Sequence, residues 1–517
     1  MRDPLNDDQF IHRRMILAAV LSAVVMVAYF FVAPRSEPPS SSQQPMTLEP
    51  APVHGEPTRA DSSDPALLSI EAPEGELPVE AGSEQSVSVE TDSFLVEFTN
   101  RGAMVTSWRL KEYSDALGEP LDLVHRRGAE RFGLPFRLVL PGGGAIDGAD
   151  DALFSVTPGP RRRSAPHTLV FEFARDGLGI RKTFKFPVAG NVVWVRTEVE
   201  RDGQPRLHLI AWGGGFGDTA RAGNSAYSQS FRYGDGEVAR VTASDAEDER
   251  IIHSGPYPYV GFEDRFFAAA AIPLAGEDVR IETSAIEIGP ANAEPGDTES
   301  YVATAFGGAP RNDVRFYLGP KSREALSSVE GLGGTLRRIV DFGFFTFIAE
   351  PLLAVLRWVH GNIVANWGWS IVIVTVFINT TLFPLKYKST KSMRKMQQLQ
   401  PLVKQINSKY KGVTFRDPRK AKQNEELHAL YKKHGASPMG GCLPILLQMP
   451  VVFAFYKLLT IAIEMRQAEW LWVADLSNPE TLPVRVLPLA MVATQFWSQS
   501  LTPTPSASNG IDRVCGV

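Results

Sequence analysis

Residues 367–385, WGWSIVIVTVFINTTLFPL, run for 19 residues without a charge, and residues 386–439 then hold 14 lysines and arginines against three acids. At about 1.5 Å per residue a helix over the first stretch reaches roughly the 30 Å of a bilayer core. A burst of cations directly after such a stretch holds that end on the cytoplasmic side. The two features together restrict the chain to a membrane-spanning architecture, with the direction of this span set from outside to inside. They also segregate charge: residues 386–439 carry +11 and the rest of the chain −16, within a net charge of −5. The rival reading of the basic segment, a solvated helix that binds nucleic acid, loses its footing beside the flanking apolar runs, and no DNA partner is expected.

The other apolar runs extend this topology. Residues 15–33, MILAAVLSAVVMVAYFFVA, form a second uncharged run of 19, preceded by Arg13 and Arg14. The pattern predicts a cytoplasmic N-terminus over 1–14 and an anchor over 15–33, and no A-x-A site follows to mark a cleaved signal. Residues 441–464 form a further span, returning outward, with Lys457 near enough to its outer end to reach the interface. An outer loop over 465–485 leads to a short apolar stretch at 486–497, marginal for a crossing, and a polar tail at 498–517. The stretch 336–360 is apolar but interrupted by Asp341, Glu350 and Arg357. It is expected to be an amphipathic helix in the outer interface, broken or kinked at Pro351.

Between the first two spans the texture changes twice. Residues 34–88 are rich in Pro, Ser, Glu and Ala and are expected to be a disordered linker. From residue 89 to about 325, runs such as SFLVEFT, TLVFEFA and NVVWVRTEVE alternate apolar and polar residues between turn-forming clusters. Period-2 patterning with β-branched and aromatic residues predicts an antiparallel β-sandwich. The glycine cluster GGGFG at 213–217 lacks the strand–helix context of a dinucleotide site and is expected to be a loop. The histidines of the outer region, His54, His125, His167, His208 and His253, show no metal-ligand spacing, Cys442 and Cys515 are too far apart to suggest a disulfide or zinc set, and no P-loop is present. No metal, cofactor or catalytic residue is predicted, and the chain is not expected to be an enzyme.

What the apolar runs do contain is misplaced polarity. Thr375 and Asn379 share one helical face, with Thr380 beside them, and Asn379 lies seven residues, on the order of 10 Å, inside the Lys386 end. Gln448 lies at a similar depth in the 441–464 span. Amides are costly in hydrocarbon unless bonded, so these two should face one another as interhelical glue, or line a wet pocket open to the cytoplasm. Thr381 projects away and is expected to bond its own backbone. The basic segment reads as two helices joined by GVTFRD, a cytoplasmic hairpin. Its cations Lys386, Lys388, Lys391, Arg394 and Lys395 either enforce topology against anionic headgroups or contact ribosomal RNA, targeting components or emerging clients.

The blocks WGWSIVIVTVFINTTLFPLKYKSTKSMRKMQQLQP, ALYKKHGASPMGGCLPILLQMPVVFAFYKLL and WLWVADLS resemble the YidC/Oxa family of membrane-protein insertases, with a looser match in TNRGAMVTSWRL and VRFYLGP. The resemblance implies a multi-domain inner-membrane protein: a periplasmic β-supersandwich similar to sugar-mutarotase folds, an α-helical transmembrane core and a cytoplasmic helical hairpin. It implies insertion and folding of nascent integral membrane proteins through an amphiphilic, cytoplasm-open groove without nucleotide hydrolysis, with the Sec translocon, the ribosome and inner-membrane lipid as partners. Thr375, Asn379, Thr380 and Gln448 are then the groove candidates. Where the family often carries a groove Arg or Lys, the aligned position here is Asn379, which puts capture of acidic segments by net charge in question. The family continues with two further spans where this chain is expected to be truncated, by truncation, frameshift or incomplete reading. The competing class is a membrane-anchored carbohydrate-binding or mutarotase-like module acting through residues 89–320.

Overall fold

The computed structural model describes residues 79–501, apart from 116–117, 219–222, 275–276, 290–297, 333, 412–416, 435–442 and 481. The predicted N-terminus at 1–14, the anchor at 15–33, linker residues 34–78, both cysteines, residues 412–416 of the GVTFRD connection and most of the tail lie outside the described residues.

Three sheets build the N-terminal half. The largest runs Glu237–Thr242, Gln229–Gly234, Tyr259–Glu263, Phe267–Pro273, Arg311–Pro320, Val192–Arg201, Leu178–Phe186, His167–Arg175 and Ser155–Val156, with Gln204–Pro205 paired to Val192–Arg201. Two five-stranded sheets pack with it, one from Pro120–Asp122 through Met104–Ser114, Phe94–Thr99 and Ser86–Glu90 to Arg162–Ser164, the other from Ile251–Gly255 to Arg137–Val139. Alternation aims one side chain in two inward: along His167–Arg175, Leu169, Phe171 and Phe173 are buried while their neighbours are not. Aromatic rings fill the core, with Phe136 edge-on to Phe316 at 5.2 Å and stacked with Trp108 at 6.4 Å.

Two details depart from expectation. The sandwich begins earlier than residue 89: Ser86–Glu90 is its strand, and Val79 bridges Ala174, so residues 79–88, assigned to the linker, belong to the folded domain. SVSVE alternates like any other strand here, but its polar neighbours hide it in a low-complexity setting. One pairing is parallel, Ser88–Glu90 with Arg162–Ser164, in a sandwich expected to be antiparallel throughout. The GGGFG loop has a packing reason. A Cβ on Gly214 would lie 2.3 Å from the Ala129 nitrogen of helix α1 (Arg126–Phe132), so the loop and that helix touch backbone to backbone.

Helix α2 (Arg323–Ser327) and the 3₁₀ turn Thr335–Ile339 cover the outer face of the large sheet, where Leu326, Val329, Leu336 and Ile339 pack on Tyr259, Ala268, Ala270 and Tyr317. The expected single helix over 336–360 is therefore divided. Gly343, at φ 71°, opens a second 3₁₀ segment, Gly343–Phe345, and α3 (Thr346–Asn362) starts directly after it with Pro351 inside. Helices α4 (Trp367–Lys409), α5 (Arg419–Lys433), α6 (Leu443–Ile461) and α7 (Val486–Leu501) follow. Leu353, Leu356 and Val359 of α3 pack with Val374 of α4 and Ala454, Leu458 and Ile461 of α6 in a second core. Phe344, Phe347 and Trp358 remain exposed, 59% or more each, a composition suited to an apolar medium. Among the described residues α4 alone is long and apolar enough to cross a membrane; Gln448–Ile461 and Val486–Ser498 are shorter apolar helices.

Candidate functional site

Helix α4 begins at a cap made by Asn366, whose Oδ1 accepts the Trp369 amide at 3.1 Å and whose Nδ2 donates to the Glu469 carbonyl at 2.9 Å. Gly368 lies against the loop beyond α6: a Cβ there would come within 2.1 Å of the Trp470 ring. This end of the helix is thereby closed by Trp470, with Trp369 edge-on to it at 5.9 Å.

Further along, α4 divides its faces. Ile371, Val374 and Ile378 turn toward α3 and α6. Thr375, Asn379 and Lys386, four and seven residues apart, form a different stripe. Thr375, Asn379 and Thr380 are exposed, and Lys386 is half-buried. Asn379 Nδ2 donates to the Thr375 carbonyl at 2.9 Å, and its Oδ1 accepts the Lys386 ammonium at 2.8 Å. Thr380 and Thr381 each return a hydroxyl proton to the carbonyl four residues back, at 2.8 and 2.9 Å. The amide of Asn379 is thus bonded along its own helix, and among the described hydrogen bonds none joins it to Gln448, which is half-buried on α6. The expectation that this stripe lacks a cation is corrected. Lys386, assigned to the hairpin and to topology, reaches back two turns and puts its charge on the amide. The i,i+7 spacing was visible in the sequence, but a lysine at the end of a span is ordinarily read as a stop.

No break separates the stripe from the basic segment. Charges end a membrane span without ending a helix, and α4 continues through Lys386, Lys388, Lys391, Arg394 and Lys395 to Lys409. Pro384 and Pro401 are accommodated inside it. Lys388, Lys391 and Lys395 are exposed and Arg394 is half-buried. The far end of α4 pairs with α5: Glu426 accepts Lys409 at 2.6 Å and Tyr410 at 2.9 Å, and the buried Gln423 donates to Asn407 at 2.7 Å.

The C-terminal end of α6 is where sequence reasoning missed the most. Ile463, in the 3₁₀ turn Ile463–Met465, joins the sandwich core, and Arg466 enters the sandwich to pair with Asp218 at 2.5 Å. A lone arginine in a short loop offers no periodicity or motif, so nothing in the sequence flagged it.

The sequence profile described as YidC periplasmic domain matches residues 86–355, and that of the 60Kd inner membrane protein matches residues 358–514. A membrane protein insertase YidC from Cupriavidus pinatubonensis is 31% identical over 434 residues, 81% of this chain and 74% of the relative. One from Geotalea daltonii is 28% identical over 505 residues, 96% of this chain and 90% of the relative. The solved structure of an active YidC insertase with its first transmembrane domain resolved is 15% identical, covers 83% of this chain and 84% of its own, and has a TM-score of 0.31.

Proposed function

The chain belongs to the YidC family of membrane protein insertases, and from that premise we propose that the Thr375–Asn379–Lys386 stripe, with Thr380 and Gln448, lines a hydrophilic groove that receives the polar segments of nascent integral membrane proteins. The family carries membrane protein substrates and an inner-membrane location with a periplasmic domain, so the sandwich is that domain. The finer mechanism rests on physical argument. Moving a polar segment through hydrocarbon is costly because its groups lose water, and a wet groove shortens the distance over which they do. Burial of the client's apolar span, at about 25 cal/mol per Å², supplies the driving force without nucleotide hydrolysis. A groove that shelters polar segments while spans partition also acts as a chaperone for folding.

The observation that carries this reading is the Lys386–Asn379 hydrogen bond at 2.8 Å. It puts a half-buried cation and an exposed amide on one stripe of a helix long enough to span, where both can bond a carboxylate or a peptide carbonyl. In the proposed topology the chain is multi-pass with a cytoplasmic N-terminus, and α5 with the inner half of α4 is the cytoplasmic hairpin. The exposed Lys388, Lys391 and Lys395 there, with Arg394, contact anionic headgroups, the ribosome or the Sec translocon. Photo-crosslinkers at positions 379, 386 and 448 test the groove during synthesis of a client with an acidic translocated segment. Client adducts from these positions and lipid adducts from the exposed Phe377 are expected. Lipid adducts alone from all four positions would remove the groove.

A further inference from the structure

The contacts at the outer end of α6 assign it a role beyond holding two domains together. Three arginines from separate parts of the chain converge there. Arg265 donates to the Thr460 carbonyl at 2.6 Å, satisfying an end of the helix that has no partner within it and placing a cation at the negative end of the dipole. Arg357 of α3 donates through Nε to Glu464 at 2.8 Å. Arg466 donates to Asp218 at 2.5 Å and to the Ser114 carbonyl at 2.7 Å, with its guanidinium 5.3 Å from the Phe267 ring. The receiving pocket is itself rigid. Asp264 accepts four donors, from the amides of Asp218, Phe266 and Phe267 and from Asn224 Nδ2, at 2.6–2.8 Å.

The Arg466 and Asp218 side chains are 1% and 4% exposed. Dehydrating both charges offsets most of what their attraction contributes, so a pair this deep is poor evidence of stabilisation and better evidence of register. What it registers is α6 against the periplasmic domain. Gln448 lies 12 residues below Thr460, about 18 Å along the helix, so a tilt of roughly 10° at one end displaces the other by about 3 Å. We infer that Arg466 is a positioning residue: through its pair with Asp218 the periplasmic domain clamps the outer end of α6 and thereby sets the groove wall that bears Gln448 and keeps the outer end shut. The inference rests on the groove reading above only for the identity of that wall.

The test uses the full chain in sealed vesicles, with insertion read in the chain that keeps Gln448, and thiol reactivity read separately in a background of Cys442→Ser, Cys515→Ser and Gln448→Cys. The pair is neutralised as Asp218→Asn with Arg466→Gln, which leaves hydrogen-bonding groups on both sides, and Arg466→Lys keeps the charge. Three quantities are read: client insertion, reactivity of the 448 thiol toward an impermeant reagent from each side, and the melting temperature of the periplasmic domain. The neutral pair is expected to lower insertion about fivefold and to open the thiol to the periplasmic side, with melting little changed and Arg466→Lys restoring most of the insertion. Unchanged insertion and unchanged one-sided labelling, with or without a lower melting temperature, would overturn the inference and leave the pair a structural joint. Loss of insertion that Arg466→Lys restores, with a thiol unreactive from either side in every variant including the background, would uphold the clamp and overturn the groove at Gln448.

Discussion

Lys182 is the most demanding residue in the periplasmic core. It is fully buried, and its ammonium donates to the carbonyls of Gly102, Phe136 and Ala103 at 2.7, 2.8 and 3.1 Å, with the Phe154 ring 5.7 Å away. Gly102, Ala103 and Phe136 all have left-handed φ, so the three carbonyls are aimed inward by unusual backbone. Replacing Lys182 with Met keeps the volume and removes the donor. Three buried acceptors losing a partner at about 1–3 kcal/mol each come to roughly 3–9 kcal/mol, from which the relieved cost of burying an ammonium, several kcal/mol, is subtracted. A net loss of about 3 kcal/mol is expected. The pH dependence gives a second handle. Burial pushes the amine down to about 7 from its ordinary 10.5, so between those values the unfolded chain binds more protons than the folded one. Parent stability should therefore rise relative to Lys182→Met as pH goes from 7 to 9.5, by up to about 1.4 kcal/mol per unit. Urea unfolding of the full chain in detergent, followed by the fluorescence of buried Trp108 and Trp212, measures both. A loss below about 1 kcal/mol, or a parent–variant difference that stays flat over that range, would refute the reasoning, since either means the carbonyls do not depend on Lys182 or burial does not govern its charge.

Further outcomes follow from the site. Lys386→Gln should lower insertion of a client with an acidic translocated segment about fivefold while sparing a neutral one, read by protease protection in vesicles, because only the former uses the net charge. Gly368→Ala should destabilise the helical region by about 1–3 kcal/mol, since its Cβ meets the Trp470 ring at 2.1 Å, and thermal unfolding in detergent should show it. Reversing charge at Lys388, Lys391 and Lys395 should weaken ribosome cosedimentation most at low salt, and a salt-independent result would assign these side chains to topology alone.

Much of the fold was legible because its signals are periodic. Alternation along stretches such as FLVEFT and TLVFEFA sets which side chains face the core, and the sandwich follows. Elements set by contacts made elsewhere were not legible. Residues 336–360 have helical composition, yet Leu336 and Ile339 are held by the outer face of the large sheet, which leaves α3 to start ten residues later at Thr346. At the site, the sequence pointed to Asn379 and Thr375 as polar groups in an apolar run, and the same run concealed Lys386 because its charge had an ordinary explanation.

The sequence by itself determined the classes of material: an uncharged run of membrane length, a cationic flank beside it, an alternating region that becomes a sandwich, and amides set within apolar runs. These follow from local composition and period, which act through solvent and need no partner. Only the tertiary structure decided which groups meet. Lys386 lies on Asn379 because α4 does not stop where its charges begin, a continuity within one helix. Arg466 lies on Asp218, 248 residues away, because the end of α6 docks into the sandwich. A pairing of that second kind depends on where whole elements come to rest, and no local pattern in the chain encodes the distance between them.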